Sequence, residues 1–215
     1  MRNIVNHIFT RMLSHSKGQL KEETLMKKML NGLAALALTM TFAMPAAAND
    51  FEPQIKEFYN STVKAWLTDP AVIEAIKAQN AETSGFDAAK IDALDKQWRA
   101  EAKTGSGPLV DKVSGDALST WLKKKKEEAG GKIAEAFVMD AKGLNVGLSD
   151  LTSDYMQGDE GKHQKTFGAG PDAVFIDEVE FDESSGAFQS QLSATISDGG
   201  KPIGAITVGV NVEKL

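Results

Sequence analysis

Residues 188–212 read FQSQLSATISDGGKPIGAITVGVNV, and their alternation decides the fold. Phe188, Ser190, Leu192, Ala194 and Ile196 point to one side of an extended chain. Gln189, Gln191, Ser193 and Thr195 point to the other. Asp198-Gly199-Gly200-Lys201-Pro202 is a turn, and the next run alternates again. Ile206, Val208, Val210 and Val212 stand against Ala205, Thr207, Gly209 and Asn211. If the two runs form a hairpin, their apolar rows coincide and so do their small polar rows. One sheet face is then core. The other is lined by small polar groups, which make a ligand pocket where helices or loops cover it.

Upstream, Ile133–Met139 is an apolar strand, Asp140-Ala141-Lys142-Gly143 a turn, and Leu144–Leu148 a returning strand. Residues 152–170 connect, with a short helix around 160–167. Val174–Phe181 is a strand turned by Glu183-Ser184-Ser185-Gly186. Residues 51 to about 128 carry a helical period instead. Phe51, Ile55, Phe58, Val63, Trp66 and Leu67 recur at near-helical spacing. Asp69-Pro70 opens a second helix to about Ala81, an N-cap followed by proline at the first helical position. A third starts at Phe86-Asp87, and Val110–Leu122 lies on a fourth that ends at Gly130-Gly131. Helices followed by strands give an α+β class: an N-terminal helical region, 49–130, then an antiparallel five-stranded sheet, 131–215.

The N-terminus has its own organisation. Lys27-Lys28, the uncharged run Met29–Met44, Pro45 and Ala46-Ala47-Ala48 form a secretory signal peptide over 26–48. The apolar run is shorter than the roughly 20 residues of a spanning helix. Residues 1–25 precede it as an upstream extension, with translation expected to begin at Met26. The exported chain is then Asn49–Leu215, 167 residues, enough for one domain with a core. The leader holds six of the 24 basic residues and two of the 30 acidic ones, which leaves 18 against 28 and a mature charge of −10. Such a surface repels nucleic acid and excludes nucleic-acid binding. Lys123–Lys126, the one basic cluster, reads as a solvated helix end.

Cysteine is absent, which excludes disulfides, thiolate metal sites and cysteine nucleophiles. His163 is the only histidine after the leader, so a multi-histidine metal site is excluded. Its neighbours Gly161-Lys162-Gln164-Lys165 make it a surface histidine. No nucleophile–base constellation can be built on it, and the chain is expected to be neither an enzyme nor a cofactor or metal carrier. The acidic strip Asp177, Glu178, Glu180, Asp182 and Glu183 reads as a solvated strand edge that discourages aggregation.

Three motifs carry a resemblance. Residues 136–147 (AFVMDAKGLNVG), 152–160 (TSDYMQGDE) and 201–210 (KPIGAITVGV) are similar to the first hairpin, the Thr-Ser-Asp-Tyr/Gly-Asp-Glu segment and the closing strand of Cache sensor domains. Over roughly residues 85–215 the chain resembles the stand-alone periplasmic Cache (PDC, PAS-like) proteins. The resemblance implies a PAS-like sheet and extracytoplasmic sensing of a small molecule. With no output module in the sequence, relay to a membrane-bound sensor kinase or chemoreceptor is expected.

The resemblance also directs attention to two pairs. Arg99 is the sole arginine after the leader and follows Trp98. Arginine presents a fork that fits a carboxylate, and tryptophan an apolar wall. The alternative is a core tryptophan beside a surface ion pair to Asp95. Asp154 and Tyr155 lie where Cache pockets open. Asp154 can hold an ammonium and Tyr155 can stack, or the segment serves only local turn bonds. Asp159 and Glu160 read as caps of the short helix, and Trp66 and Trp121 as core aromatics. The expected ligand is a small carboxylate or amino compound held by Trp98, Arg99, Asp154 and Tyr155. The competing expectation is a ligand-free interaction protein that uses a long N-terminal helix to form a homodimer or to dock a membrane partner.

Overall fold

A computed structural model describes residues 49–182 and 186–215. The readings of 1–25 as an extension and of 26–48 as a signal peptide, and the place of Glu183, lie outside the described residues. Among the described residues no helix is long and apolar enough to cross a membrane.

Helix α1 spans Glu52–Ser61 and buries Ile55 and Phe58. The single helix expected through Leu67 is not formed. The chain leaves helical geometry at Thr62 and winds into a 3-10 turn over Val63–Thr68, whose Val63 and Trp66 are buried. The two short segments together keep four large side chains on the core. The expected long N-terminal helix is corrected accordingly. Helix α2, Pro70–Thr83, starts as the sequence predicts: Asp69 accepts from the Ala71 N–H, with proline at the first position. Asp87 caps α3, Ala88–Ala102. The expected fourth helix is two. Helix α4 covers Pro108–Ser114 and α5 covers Ala117–Glu128. The break falls at Gly115, and Asp116 accepts from the Ser119 N–H to begin α5.

Five strands complete the chain: β1 Ile133–Asp140, β2 Asn145–Leu148, β3 Val174–Asp182, β4 Ala187–Asp198 and β5 Lys201–Asn211. A one-turn helix α6, Gly161–Gln164, lies between β2 and β3. The spatial order is β2-β1-β5-β4-β3, antiparallel throughout. This is the helical region and PAS-like five-stranded sheet that the sequence predicts.

The β4–β5 register pairs Leu192 with Val208 and Ala194 with Ile206, and Ser193 with Thr207 on the opposite side. Both rows fall as the alternation requires. The apolar row joins Ile55, Phe58, Val63, Trp66, Ile76 and Leu122 in the main core under α1, α2 and α5. Trp66 and Trp121 meet edge to face, 5.5 Å apart, as part of this layer. The other sheet face is divided. Near the β1–β2 end a second apolar cluster covers it, in which Phe137, Met139 and Ala205 pack with Trp98, Val110 and Tyr155. Toward β3 and β4 the face stays polar.

Two β-bulges shape that polar end. The β1–β5 register slips between Ile133 and Glu135, and the β3–β4 register between Ile176 and Val179. Without the first slip, Ile133 and Glu135 would share a face. With it, Ile133 enters the main core and Glu135 turns to the opposite side. The second slip sends both Ile176 and Val179 toward the core and thrusts out Asp177 and Glu178 between them.

The β1–β2 turn anchors the segment 152–160. Gly143 has φ +78°, and a Cβ there would collide with the Gly158 backbone. Its carbonyl accepts from the Gln157 N–H at 2.8 Å, which clamps the segment to the hairpin. Gly143→Ala combines left-handed strain with a backbone clash. We expect it to destabilise the protein by roughly 2–4 kcal/mol in urea unfolding, whereas Gly105→Ala, left-handed but in open space, costs only the conformational part.

Candidate functional site

Residues 149–172 lie over the polar sheet face, and buried polar side chains fix their path. The Asn145 amide donates to Thr152 Oγ1 at 2.7 Å and to the Asp154 carbonyl at 2.8 Å. Trp98 Nε1 donates to the Thr152 carbonyl at 2.8 Å. Asp95 Oδ1 accepts the backbone N–H groups of Tyr155 and Met156 at 2.9 and 3.0 Å. Burial alone would raise the Asp95 carboxyl. Arg99 and these two N–H groups together outweigh it and hold the group below its usual range.

His163 is not the surface residue expected from its charged neighbours. It is 6% exposed, its ring stacks on Phe167 with centroids 5.0 Å apart, and Nε2 lies 3.1 Å from the Asp140 carbonyl. That partner requires the proton on Nε2. The fold covers this segment from the sheet side, which local composition does not reveal. Nor do Asp159 and Glu160 cap α6 with their side chains. Glu160 is the N-cap residue without a side-chain cap bond, and its carboxylate pairs with Lys162 at 3.0 Å.

Trp98, Arg99, Asp154 and Tyr155 are brought together, but not around an open space. Trp98 is fully buried, and its ring lies 5.5 Å from that of Tyr155. Tyr155 is 4% exposed, and its hydroxyl accepts from Gln79 Nε2 at 3.4 Å. Burial first, then the charge of Asp140, hold its phenol well above the ordinary value. Arg99 is half exposed and spends its fork on two carboxylates, Nε to Asp95 Oδ2 at 2.6 Å and Nη1 to Asp154 Oδ1 at 3.0 Å. Of the four, Asp154 alone lines the adjoining cleft. The other three position the segment that carries it.

The cleft holds about 760 Å³. Its floor is Glu135 and Phe137 of β1 with Gln189 and Gln191 of β4. Thr152–Asp154, Gln157 and Glu160–Lys162 form one wall, and the bulged β3 with Asp177, Glu178 and Glu180 forms the other. Glu135 Oε1 accepts from Gln189 Nε2 at 3.2 Å and from Gln191 Nε2 at 3.3 Å. Burial pushes its carboxyl up. The Gln189 bond and Lys162 counteract this only in part, and the charge of Asp182 adds to the rise. Gln189 is 6% exposed, and its Oε1 is buried with no hydrogen-bond partner among the described residues. Gly209 on β5 leaves it room, since a Cβ there would collide with that oxygen.

Sequence pattern alone does not single out this floor. Gln189 and Gln191 appear in the polar row, but Glu135 sits in a strand that reads simply as apolar. A lone carboxylate inside IAEAFVM is the signal that could have found it.

No family model matches the chain, and no curated protein matches it. Among solved structures it is similar to the sensor domain of the V. cholerae histidine kinase DctB. That match has 15% identity and a TM-score of 0.39, covering 77% of this chain and 56% of that one. It is similar also to the sensory domain of the Campylobacter jejuni chemoreceptor Tlp3, with 12% identity, a TM-score of 0.37, and 74% and 65% covered. A third is the ligand-binding domain of the Pseudomonas fluorescens chemoreceptor CtaA in complex with L-valine, with 10% identity, a TM-score of 0.35, and 57% and 52% covered. The chain spans between 52% and 65% of the length of these three domains.

Two buried ionisable groups have measurable consequences. Burial is the larger influence on His163 and lowers its pKa; the Asp140 carbonyl and charge oppose it. The unfolded chain therefore binds the proton more readily. Stability is retained above about pH 6.5 and falls as pH drops below it. His163→Gln removes this loss, read as the difference between the two proteins' unfolding free energies at pH 7.5 and 5.5. Glu135→Gln relieves a buried charge among other carboxylates while keeping an acceptor for its neighbours. It should raise the stability of the ligand-free protein at neutral pH by about 1 kcal/mol, measured by thermal or urea unfolding.

Proposed function

We propose that the protein is an extracytoplasmic ligand-binding sensor module, acting in the periplasm and passing its ligand state to a membrane-bound sensor kinase or chemoreceptor. The observation that carries this reading is the cleft on the polar sheet face, with a partly buried carboxylate in its floor and a buried amide oxygen that has no partner among the described residues. A purely structural sheet face would close over such groups or replace them with apolar ones. The ligand is a small carboxylate or amino compound that fits about 760 Å³. Ligand binding, not chemistry, is the function. His163 commits Nε2 to a backbone carbonyl and is buried within the covering segment.

The geometry supplies a route for the signal. Asp154 borders the cleft and is held by Arg99 of α3, which also binds Asp95. A ligand group that competes for Asp154 changes the tether between the covering segment and α3. The same helix holds that segment through the bonds from Tyr155 and Met156 to Asp95. Ligand occupancy and the position of α3 are thereby coupled.

A thermal-shift screen of the purified protein against small metabolites tests the reading. A specific ligand at a hundred times its Kd stabilises by about 2.7 kcal/mol, so the midpoint rises by several degrees. Arg99→Ala frees Asp154 without entering the cleft. It should alter ligand affinity and abolish the ligand-induced change in α3 hydrogen exchange. A screen in which no compound shifts the midpoint, with the protein dimeric in solution, would leave the interaction reading in its place.

A further inference from the structure

We infer that the cleft selects an organic cation bearing at least one ammonium group, with Glu135 as its counter-ion. The inference rests on the reading of the cleft as a ligand site and narrows it. Seven carboxylates line the cleft and one lysine, Lys162, which is paired with Glu160 at 3.0 Å. Lys165 stands outside the lining with Nζ 3.9 Å from the centroid of the Phe175 ring, and Arg99, behind Asp154, is shared between two carboxylates. An anionic ligand would meet no free cation on the floor and a like-charged rim on both sides.

Hydrogen-bonding capacity points the same way. The amide N–H groups of Gln189 and Gln191 are turned to Glu135. The charged acceptor that lines the cleft is the Glu135 carboxylate, whose Oε1 takes one N–H from each of the two amides. A carboxylate brings only acceptors, whereas an ammonium brings three donors and none. Burial already disfavours the charged form of Glu135, and a bound cation would restore it. Phe181 lines the cleft and is 54% exposed, which provides aromatic surface for the remainder of such a ligand. Lys162 Nζ lies 5.3 Å from the centroid of the Phe137 ring, so that ring already faces one ammonium. The space is far larger than a bare metal ion needs, and among the described residues no group of three metal-ligating side chains is assembled to hold one.

Isothermal titration of the purified protein with separate probes tests this. The amines are 1,4-diaminobutane, ethanolamine, tyramine and tetramethylammonium; the others are succinate, L-valine and calcium chloride. At least one amine should bind, with affinity falling about tenfold between low salt and physiological ionic strength. Glu135→Gln should weaken that amine at least tenfold while its own unfolding midpoint is unchanged or higher, which separates lost binding from lost folding. Glu178→Gln, on the exposed rim, should weaken it only twofold to threefold, roughly as for other screened surface charges. Binding of succinate or L-valine with no amine bound would overturn the inference and leave the sensor reading standing. Calcium binding lost in Glu135→Gln would overturn it in favour of a metal. Amine binding indifferent to Glu135→Gln would remove Glu135 as the counter-ion. If no probe and no compound of the broader metabolite screen binds, the ligand-site reading falls and this inference with it.

Discussion

The buried carboxylate of Asp140 is the contact on which the remainder of the structure depends. It is fully removed from solvent at the end of β1. Oδ1 accepts the backbone N–H groups of Lys142 and Leu144 at 2.8 and 2.9 Å, closing the β1–β2 turn. Oδ2 accepts the Thr83 hydroxyl at 2.8 Å, joining the end of α2 to the sheet. Its backbone carbonyl receives His163 and so holds α6. Burial pushes the carboxyl up, and the three donors oppose that rise. A lone buried carboxylate is costly, and one with three donors directs several segments at once. The hairpin, the helical layer and the covering segment therefore share one polar point. The cleft exists because that point fixes where the covering segment begins to leave the sheet.

A sheet with helices on one face has a second face to resolve, and this protein resolves it in two ways. Near β2, aromatic and aliphatic side chains from α3, α4 and the covering segment make it a second core. Near β3 the same face carries glutamines, a glutamate and a bulged acidic edge. The bulge in β1 makes the difference, because it moves one residue, Glu135, from the side occupied by Ile133 to the opposite side. A regular strand would have buried a carboxylate in the main core. The irregular one presents it to the cleft.

How much of this is legible in the sequence depends on the range of the interaction concerned. The strand alternation, the Asp69-Pro70 and Asp87 helix starts and the Gly130-Gly131 stop are local, and they appear where the local pattern puts them. The α4–α5 break and the end of α1 at Thr62 are weaker local signals, overridden by the need to keep both segments against the sheet. Three features are hidden because they depend on partners more than 20 residues away in the chain. His163 is buried by Asp140, Trp98 is bonded to Thr152, and Glu135 is flanked by Gln189 and Gln191. The Trp98-Arg99 and Asp154-Tyr155 pairs are neighbours in the fold, as the resemblance implies. Only tertiary geometry shows that Arg99 is already occupied by two carboxylates.

The acidic edge strand then takes on a meaning beyond the one its composition supports. As an unpaired edge, β3 needs charge to discourage strand addition, and Asp177, Glu178 and Glu180 supply it. Solubility alone would be served as well by any alternation of charges, including lysines, along the strand. The carboxylates instead form one wall of a cleft whose floor contains another, Glu135, with its charge partly desolvated. Like charges brought together at a cavity cost the folded state stability, and proteins retain such costs where binding needs them. One lysine, Lys162, lines the cleft, paired with Glu160. Lys123–Lys126 at the end of α5 are held by the Ser114 carbonyl, Glu128 and Asp150, and none borders this cleft. Separation of charge on this scale creates a directional field. Such a field favours the approach of cations over anions. Edge protection and an acidic cleft wall are thus two consequences of one row of carboxylates, and the bulge in β3 sets the row at that wall.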